Sequence, residues 1–173
     1  MRTVTYGGAC SLDLFIARPD GAVDWLVWSD DANAIMGAYW PTIDTILMGR
    51  KTYEVASMGG AGAGETNGIT TYVFSRTLKH APGATIVPED AGGFVRALKE
   101  KPGKGICLMG GGELARALFE ADVIDEVGVN VHPVLLGAGI PLVPGLARPI
   151  DLKLVSAKPI RGGCVYMQYR VAR

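Results

Sequence analysis

The sequence predicts one α/β domain, 1–173, with a mostly parallel central sheet, an antiparallel C-terminal hairpin and helices on both faces. Three observations favour this fold class. The length of 173 residues fits a single domain. Strand-like apolar runs alternate with helical patterns over the first two-thirds of the chain, as they do in βαβ units. Two alternating segments near the end, 152–159 and 164–171, are joined through a Gly-Gly turn and predict the hairpin.

The individual elements follow from local patterns. Ser29 or Asp30 can accept hydrogen bonds from the free N–H groups of a first helical turn, and Pro41 ends that helix. The segment 11–17 either continues the first strand or turns out of it. The glycine-rich segment 58–68 is either a lid that excludes water or a disordered surface insertion. Strands are predicted at 3–10, 44–48, 70–75, 85–87, 105–109 and 125–132, helices at 30–39, from Arg50 to about 56, at 90–100 and at 113–120, and a loop at 133–144.

Charge and composition exclude several function classes. Lys and Arg total 17, as do Asp and Glu, so the formal net charge is zero. A nucleic-acid-binding surface normally needs a basic surplus, so no nucleic-acid partner is expected. No apolar run is long enough to cross a bilayer, and the start lacks the pattern of a signal peptide. Zero charge with 49% hydrophobic residues favours self-association, and we expect a homodimer.

The cysteines indicate a reducing compartment. Cys10, Cys107 and Cys164 are far apart, odd in number and without Cys-x-x-Cys spacing. This pattern is not typical of a disulfide framework or a zinc site, and we expect no metal. All three lie in apolar segments, which predicts small buried hydrophobic side chains in a cytoplasmic protein.

Two glycine loops carry the chemical prediction. The strand ending at Met48 continues directly into Gly49-Arg50-Lys51-Thr52, and the strand ending at Met109 continues into Gly110-Gly111-Gly112. A glycine lets a ligand approach the backbone, and the helix that follows offers unpaired N–H groups and a partial positive charge. One such loop is weak evidence for a phosphate site, but two in one domain favour it. Neither a Walker loop nor the usual dinucleotide fingerprint is present.

The residues around these loops resemble a known family. The runs 46–54, Ile-Leu-Met-Gly-Arg-Lys-Thr-Tyr-Glu, and 106–114, Ile-Cys-Leu-Met-Gly-Gly-Gly-Glu-Leu, look like the cofactor segments of dihydrofolate reductases. The closest resemblance is to the reductase domain of the bifunctional riboflavin-biosynthesis deaminase-reductase. It is carried by Ser11-Leu12-Asp13, Asp20-Gly21, Asp24-Trp25, Asp125-Glu126 and Pro133-Val-Leu-Leu-Gly-Ala-Gly139. The resemblance implies a dihydrofolate-reductase-like fold with an eight-stranded sheet, and NADPH as the hydride donor.

The resemblance also implies roles for individual residues. Gly49, Arg50, Lys51 and Thr52 would hold the pyrophosphate or the 2′-phosphate side of the cofactor, and Ser75 and Arg76 would face the adenosine ribose and its 2′-phosphate. Ala9 would lie near the nicotinamide, and Trp25 at the mouth of the active site. The opposite side of the pyrophosphate would be held by Gly110, Gly111, Gly112, Glu113 and Leu114.

The chain departs from the family pattern in two places. The family reads Ser-Leu-Asp-Gly where this chain has Leu14 in place of the glycine. The acid that faces the substrate is also ambiguous, because family spacing from Trp25 lands on Asp30 and spacing from Gly49 lands on Asn33. Asp30 and Asp31 are therefore both catalytic candidates, with helix capping as the alternative role for each. A water molecule is the other proton source.

The predicted function is an NADPH-dependent reductase of a small heterocycle, of the 5-amino-6-(5-phosphoribosylamino)uracil reductase type. The alternatives are a dihydrofolate or pterin reductase, a non-catalytic NADPH-binding module, and a dimeric scaffold without a ligand. Nothing in the chain resembles the zinc site of the partner deaminase. The segment 137–139 is a further candidate for a substrate phosphate. His132 is a candidate for a substrate oxygen, although a lone histidine is more often structural.

Overall fold

The computed structural model describes residues 1–58 and 68–173, and its largest feature is one eight-stranded sheet. The strands are β1 (Val4–Ser11), β2 (Phe15–Ala17), β3 (Ile43–Gly49), β4 (Thr70–Phe74), β5 (Thr85–Val87), β6 (Gly105–Gly110), β7 (Glu126–His132), β8 (Ile140–Pro141), β9 (Leu152–Ile160) and β10 (Cys164–Val171). The helices are α1 (Asp30–Tyr39), α2 (Arg50–Met58), α3 (Ala91–Glu100) and α4 (Gly112–Glu120), with a 3-10 turn at Trp40–Thr42.

The strand order along the main sheet is β5-β4-β3-β6-β1-β7-β10-β9. The first six strands in this order are parallel to one another, whereas β10 is antiparallel to both β7 and β9. This confirms the predicted parallel sheet with an antiparallel C-terminal hairpin. The carboxyl ends of β4, β3, β6, β1 and β7 therefore meet at one edge, which is where open α/β sheets bind ligands.

Apolar side chains cover both faces of the sheet. On one face Leu47 and Leu108 pack with Val95 of α3 and Leu118 of α4 in a single cluster. On the other face Ile46, Met48 and Val73 pack with Tyr53 of α2. Burying one such Leu or Ile side chain contributes about 1.5–3 kcal/mol, so these two layers hold α2, α3 and α4 firmly. The helices lie on both faces, as predicted.

Helix α1 is held differently. It begins after Ser29, whose hydroxyl accepts the Ala32 N–H at 3.2 Å, which identifies Ser29 as the N-cap. Ala32 is the only residue of this helix that is buried. Apolar residues such as Met36, with 36% of its surface exposed, remain in reach of solvent. Most residues of helix α1 are therefore exposed.

Two elements differ from the sequence prediction. The segment 11–17 follows one of its two predicted alternatives and turns out of β1, but its β2 pairs with β8, a short strand inside the predicted loop 133–144. Helix α2 continues to Met58, two residues beyond its predicted end. The predicted lid 58–68 lies outside the described residues except for its two terminal positions, so its role stays a prediction.

The amino edge of the sheet carries two buried ion pairs. The Arg2 guanidinium binds Asp44 and Thr45, and Lys99 Nζ lies 2.6 Å from Asp125 Oδ2. Both basic side chains are almost fully buried. These pairs lie at the opposite edge from the glycine loops, so they tie strand starts together and do not belong to the candidate site. None of the helices in the described part of the chain is long and apolar enough to cross a membrane.

Candidate functional site

The two glycine loops lie side by side. β3 and β6 are neighbouring strands, and Met48 pairs with Gly110 at their carboxyl ends. A Cβ added at Gly49 would lie 3.4 Å from the Gly111 nitrogen and 3.8 Å from the Gly110 oxygen. A side chain at position 49 would therefore contact the Gly110–Gly111 peptide. The sequence predicted each loop separately, and the sheet order places them next to each other.

Two helices start at these loops. α2 follows β3 with no residue in between, and α4 starts after Gly111, which supplies no side-chain cap. The Thr52 hydroxyl lies 3.5 Å from the positions that a Cβ of Gly110 or Gly111 would occupy, so α2 contacts the second loop directly. The Gly110–Gly111 peptide is cis. Two adjacent helix starts, of which that of α4 has no side-chain cap, form an arrangement that can bind anions such as a pyrophosphate.

Basic side chains surround the β3–β4 end of this edge. The Arg50 guanidinium lies 3.0 Å from Glu54 on the outer side of α2, and Lys51 is exposed. Gly49 pairs with Phe74, which places Ser75 and Arg76 on the next strand end. The Ser75 hydroxyl accepts the N–H groups of Thr77 and Leu78, so its role is to shape this turn.

Arg76 is available to a ligand, as is Lys51. Both are exposed, and neither makes an ion pair with any described residue. Glu113, by contrast, has its carboxylate turned outward to Arg116 at 3.0 Å, so it would serve a phosphate only through its backbone N–H. The edge therefore offers a guanidinium at β4 and backbone N–H groups at β6.

β1 and β6 separate at the same edge. Their pairing runs only from Val4–Ile106 to Tyr6–Leu108, whereas β1 stays paired with β7 up to Ser11–His132. Beyond Tyr6 the two strands are no longer paired, and we call the space between their ends the β1–β6 cleft. Gly8 and Ala9 follow on the β1 side, and a Cβ added at Gly8 would meet no atom within 4 Å. Ala9 thus lies on the strand next to β6, which leads into the second glycine loop.

The two candidate acids lie at the surface. Arg161, in the turn between β9 and β10, contacts Asp30 at 3.2 Å and Asp31 at 3.8 Å, and its backbone N–H donates to Asp31 Oδ2 at 2.9 Å. The Asp30 side chain is 87% exposed and that of Asp31 is 38% exposed. The contacts tie the start of α1 to the β9–β10 turn. Both side chains therefore have a structural role, whatever part they take in chemistry.

Trp25 packs on a buried histidine. The rings of Trp25 and His132 meet edge to face, with centroids 5.3 Å apart. His132 is almost fully buried, with its ring nitrogens 3.2 Å from the Asn130 oxygen and 3.3 Å from the Val27 oxygen. It therefore holds the segment before α1 onto β7, which favours the structural interpretation of this histidine. The Trp25 Nε1 is buried and has no hydrogen-bond partner among the described residues.

Leu14 has a backbone conformation that is most accessible to glycine. Its φ is 63°, in the left-handed region. Leucine in place of the family's glycine therefore does not prevent this conformation. The Leu14 N–H donates to the Ser11 oxygen at 3.0 Å, which closes the turn that leads out of β1.

The Asp13 carboxylate binds backbone N–H groups in the segment that the sequence suggested for a substrate phosphate. Its carboxylate accepts the N–H groups of Leu136 at 3.1 Å and Gly137 at 2.8 Å. The hydrogen bond from the Ser11 hydroxyl, followed by those from the backbone of the 136–137 segment, lowers the pKa of Asp13 below its usual range. A carboxylate already fills this part of the loop, so 137–139 is a poor phosphate site.

The described residues offer no other reactive centre. All three cysteines are buried and free, as predicted, and burial raises the pKa of Cys107 to about 11, which keeps it a thiol. A cavity of about 140 Å³ lies on the face opposite α1 and is lined by apolar residues including Phe119, Leu146 and Ile150. Its lining offers no reactive side chain, and we interpret it as a packing gap. Within 1–58 and 68–173 there is also no cluster of metal-binding side chains.

Sequence reasoning missed the long-range features of this site. The β1–β6 cleft, the contact of Arg161 with both acids and the filling of the 136–137 N–H groups by Asp13 join residues far apart in the chain. No local pattern signals them. The positive φ at Leu14 had a signal, because the family motif places a glycine there.

Sequence comparison assigns nearly the whole chain to one family. Residues 2–166 match the RibD C-terminal domain. YwjB of Bacillus subtilis (strain 168), an uncharacterized protein, is 34% identical over 171 residues, which cover 97% of this chain and 97% of YwjB.

Solved structures share the fold. A protein from Shewanella sp. PV-4 assigned to riboflavin biosynthesis superposes with a TM-score of 0.85 at 22% identity over all of both chains. A second structure superposes with a TM-score of 0.72 at 15% identity, over 99% of this chain and 57% of the other. It is the diaminohydroxyphosphoribosylaminopyrimidine deaminase/5-amino-6-(5-phosphoribosylamino)uracil reductase of Thermotoga maritima. Dihydrofolate reductase from Enterococcus faecalis, complexed with NADP(H) and RAB-propyl, superposes with a TM-score of 0.71 at 18% identity. The match covers 99% of this chain and 97% of the reductase chain. The fold is dihydrofolate-reductase-like, and the chain belongs to the RibD C-terminal domain family.

Proposed function

We propose that this protein is an NADPH-dependent reductase of a small heterocyclic substrate. The observation that carries the proposal is the row of neighbouring strand ends. Arg76 after β4, Arg50 to Thr52 after β3, the glycines after β6 and Ala9 on β1 follow one another along the carboxyl edge. At about 4.8 Å between strands, the row spans roughly 14 Å, which suits an extended dinucleotide.

Each part of the row has a different task toward the cofactor. Arg76, together with Arg50 or Lys51, would hold the 2′-phosphate, because guanidinium groups bind phosphate oxygens with paired hydrogen bonds. The N–H groups from Gly111 to Leu114 would hold the pyrophosphate. The cleft beside Ala9 would take the nicotinamide ring, and reduced nicotinamide supplies a hydride. The fit of a pyrophosphate at this loop is supported by Gly49, because a side chain there would come within 3.4 Å of the Gly111 nitrogen.

The substrate would lie on the α1 side of the cleft. The Thermotoga protein is named as a reductase of a ribosylaminouracil, and the Enterococcus protein is a dihydrofolate reductase. These names support uracil and pteridine rings as the first substrates to test. The work of the protein would be to hold the ring against the nicotinamide and to exclude water.

The proton source is a separate question. Asp30 and Asp31 are both held by Arg161, and Asp30 is largely exposed. We therefore propose a water molecule as the proton donor, with Asp31 as the alternative because its side chain is the less exposed. If water is the donor, Asp31→Asn should change the rate of reduction by less than about threefold, since it removes only an anchoring charge. A loss of about 100-fold or more would identify Asp31 as the general acid.

The test is oxidation of NADPH in the presence of candidate rings. The protein is mixed with NADPH and a panel of oxidised uracil, ribosylaminouracil and pteridine compounds, and the loss of nicotinamide absorbance is followed with product analysis. Turnover of one ring class supports the proposal. NADPH binding without oxidation of any member would instead support a non-catalytic binding module.

A further inference from the structure

We propose that His132 is a proton-controlled clamp. Its doubly protonated ring holds the segment from Trp25 to Ser29 on β7, and the neutral ring holds that segment less tightly. This inference goes beyond the proposed function, because it concerns the ligand-free protein and needs neither cofactor nor substrate. The segment leads directly into α1, which lies on the side of the proposed substrate. The charge of one buried ring would therefore set how firmly this side of the site is held.

Both ring nitrogens of His132 face backbone carbonyl oxygens. Nδ1 lies 3.2 Å from the Asn130 oxygen, and Nε2 lies 3.3 Å from the Val27 oxygen. A carbonyl oxygen only accepts hydrogen bonds, so each contact needs an N–H group on the ring. A neutral imidazole carries one N–H group, whereas the imidazolium carries two. Both contacts can therefore be hydrogen bonds only when the ring is charged.

The two contacts hold different parts of the chain. Asn130 lies in the same strand as His132, so the Nδ1 contact is internal to β7. Val27 is 105 residues away, so the Nε2 contact joins β7 to the segment before α1. A neutral ring must give up one of these hydrogen bonds, and a nitrogen lone pair then faces a carbonyl oxygen. The Asn130 oxygen stays beside the ring wherever the segment lies, so the contact that can be released is the one with Val27.

Water cannot replace the missing hydrogen bond while the segment is in place. His132 is 2% exposed, and the Trp25 ring meets it edge to face with centroids 5.3 Å apart. A buried polar group without a partner is unfavourable, because it has lost its hydration and gained no hydrogen bond in exchange. A neutral His132 therefore favours a displaced segment that admits water, and a charged one favours the arrangement in the structure.

No described charged side chain binds the ring itself. The charged groups of the neighbouring segments all have other partners: Asp13 with Ser11, Asp24 with Arg18, and Asp30 and Asp31 with Arg161. β10 contributes Cys164 and Tyr166 on this face, and burial raises the pKa of both, so both are uncharged near neutral pH. The two carbonyl oxygens thus stabilise the charged ring, since hydrogen bonds to a charged form favour that form. The clamp is strongest at low pH and weakens as the pH rises.

The test follows both histidines of the ligand-free protein in one sample. The chain contains 2 histidines, and the exposed His80 is the internal control. Ring nitrogen signals are recorded by nitrogen NMR between about pH 5 and 8, the range in which histidines titrate. His132→Gln and His80→Gln assign the signals. Exchange of the Trp25 indole proton is measured in the same sample, relative to that of Trp28, which is 72% exposed.

We expect both nitrogens of His132 to carry a proton at the lower end of this range, and one of them to lose it as the pH rises. Exchange of the Trp25 proton relative to that of Trp28 should then rise by about tenfold or more, the effect of one lost hydrogen bond to a charged group. His80→Gln should leave this rise unchanged. His132→Gln should abolish it, because glutamine does not titrate.

Two results would overturn the inference. The first is a His132 ring whose protonation does not change across the range, with either one proton or two. The second is a change of protonation that leaves the relative exchange of Trp25 within about twofold. If His132→Gln does not fold, the wild type alone decides, since His80 and Trp28 report in the same sample. No cofactor is present, so neither result bears on the proposed NADPH site.

Discussion

The two halves of the carboxyl edge are built in different ways. The half formed by β4, β3 and β6 consists of glycines, helix starts and basic side chains that lie within a few residues of a strand end. The half formed by β1, β7 and α1 depends on contacts between distant segments, such as Arg161 with Asp31 and Asp13 with Gly137. The first half suits a cofactor of fixed structure. The second brings together segments that lie far apart in the chain, and it is the half where the proposed substrate would bind.

This difference explains which functional residues can be recognised from the sequence alone. A phosphate site made from a strand end and the helix that follows is local, so its residues are adjacent in the chain. A substrate site assembled from β1, β7, α1 and the β9–β10 turn is not. The comparison leads to four expected results, ordered from the largest effect to the smallest.

The largest effect should come from two glycines of the cofactor half. A Cβ at Gly112 would lie 2.7 Å from the Pro141 oxygen and 2.8 Å from Pro144, so Gly112→Ala must displace the 141–144 segment. We expect a loss of about 1–3 kcal/mol in the free energy of unfolding, measured by urea denaturation. At Gly49 the same change meets only ordinary contacts, the closest at 3.4 Å. Gly49→Ala should fold normally but bind NADPH at least about tenfold more weakly, because the methyl group stands against the Gly111 N–H.

Equal stability losses in both variants, with NADPH affinity retained in Gly49→Ala, would show that the two loops are packing turns only.

The second effect concerns the choice between NADPH and NADH. Arg76→Ala should weaken the binding of NADPH by about 10- to 100-fold, because it removes a charge-assisted hydrogen bond. The affinity for NADH should stay nearly unchanged. Arg161→Ala is the control, since Arg161 belongs to the substrate half and should leave the ratio of the two affinities as it is. Both are measured by calorimetry. Equal losses for the two cofactors in Arg76→Ala would rule out a contact with the 2′-phosphate.

The third effect concerns Asp13, which holds the 136–137 segment. Its pKa is lowered in the folded protein, so its stabilising contribution is present above the unfolded pKa, about 3.9 for Asp, and is lost as the pH falls through the lower folded value. Asp13→Asn should therefore lower the melting temperature near neutral pH, and the difference from wild type should shrink below about pH 4.

Asp20→Asn is the control for Asp13. Asp20 accepts one backbone N–H in an exposed turn, which an asparagine oxygen also accepts. A difference between Asp13→Asn and wild type that stays constant with pH would contradict the assigned charge-dependent contact.

The smallest effect should come from Leu14. A left-handed backbone conformation lowers the free energy of unfolding by about 1 kcal/mol when the residue is not glycine. Leu14 is also 53% exposed. Leu14→Gly removes that strain but adds unfolded-state entropy of about 0.5–1 kcal/mol, so stability should stay within about 0.5 kcal/mol of wild type. Leu12→Gly, at a residue of similar exposure and without a positive φ, should destabilise by about 0.5–1 kcal/mol. Similar losses in both variants, measured by thermal unfolding, would contradict the strain assigned to Leu14.

The features that could be predicted from the sequence are the local ones, and most of them lie in the half formed by β4, β3 and β6. The sheet elements and both glycine loops were predicted, because strand and helix periodicity and glycine spacing are local properties. The capping of α1 by Ser29 was one of two alternatives for the same reason. The pairing of β2 with β8 and the opening between β1 and β6 were not predicted, since they depend on which strands become neighbours. The exposed position of Asp30 beside Arg161 could not be predicted either, because the two lie 131 residues apart. A homodimer and a cytoplasmic location stay predictions.

The most direct test of the cofactor site is a thermal-shift titration of the wild type with NADPH and NADH side by side. A ligand that binds only the folded state stabilises it by about 2.7 kcal/mol at 100 times its dissociation constant. For a chain of this length that corresponds to a rise of roughly 5–10 °C in the melting temperature. We predict such a rise with NADPH and a clearly smaller one with NADH at the same concentration. No rise with either would mean that the carboxyl edge does not bind a nicotinamide dinucleotide, and the proposed reductase function would be wrong.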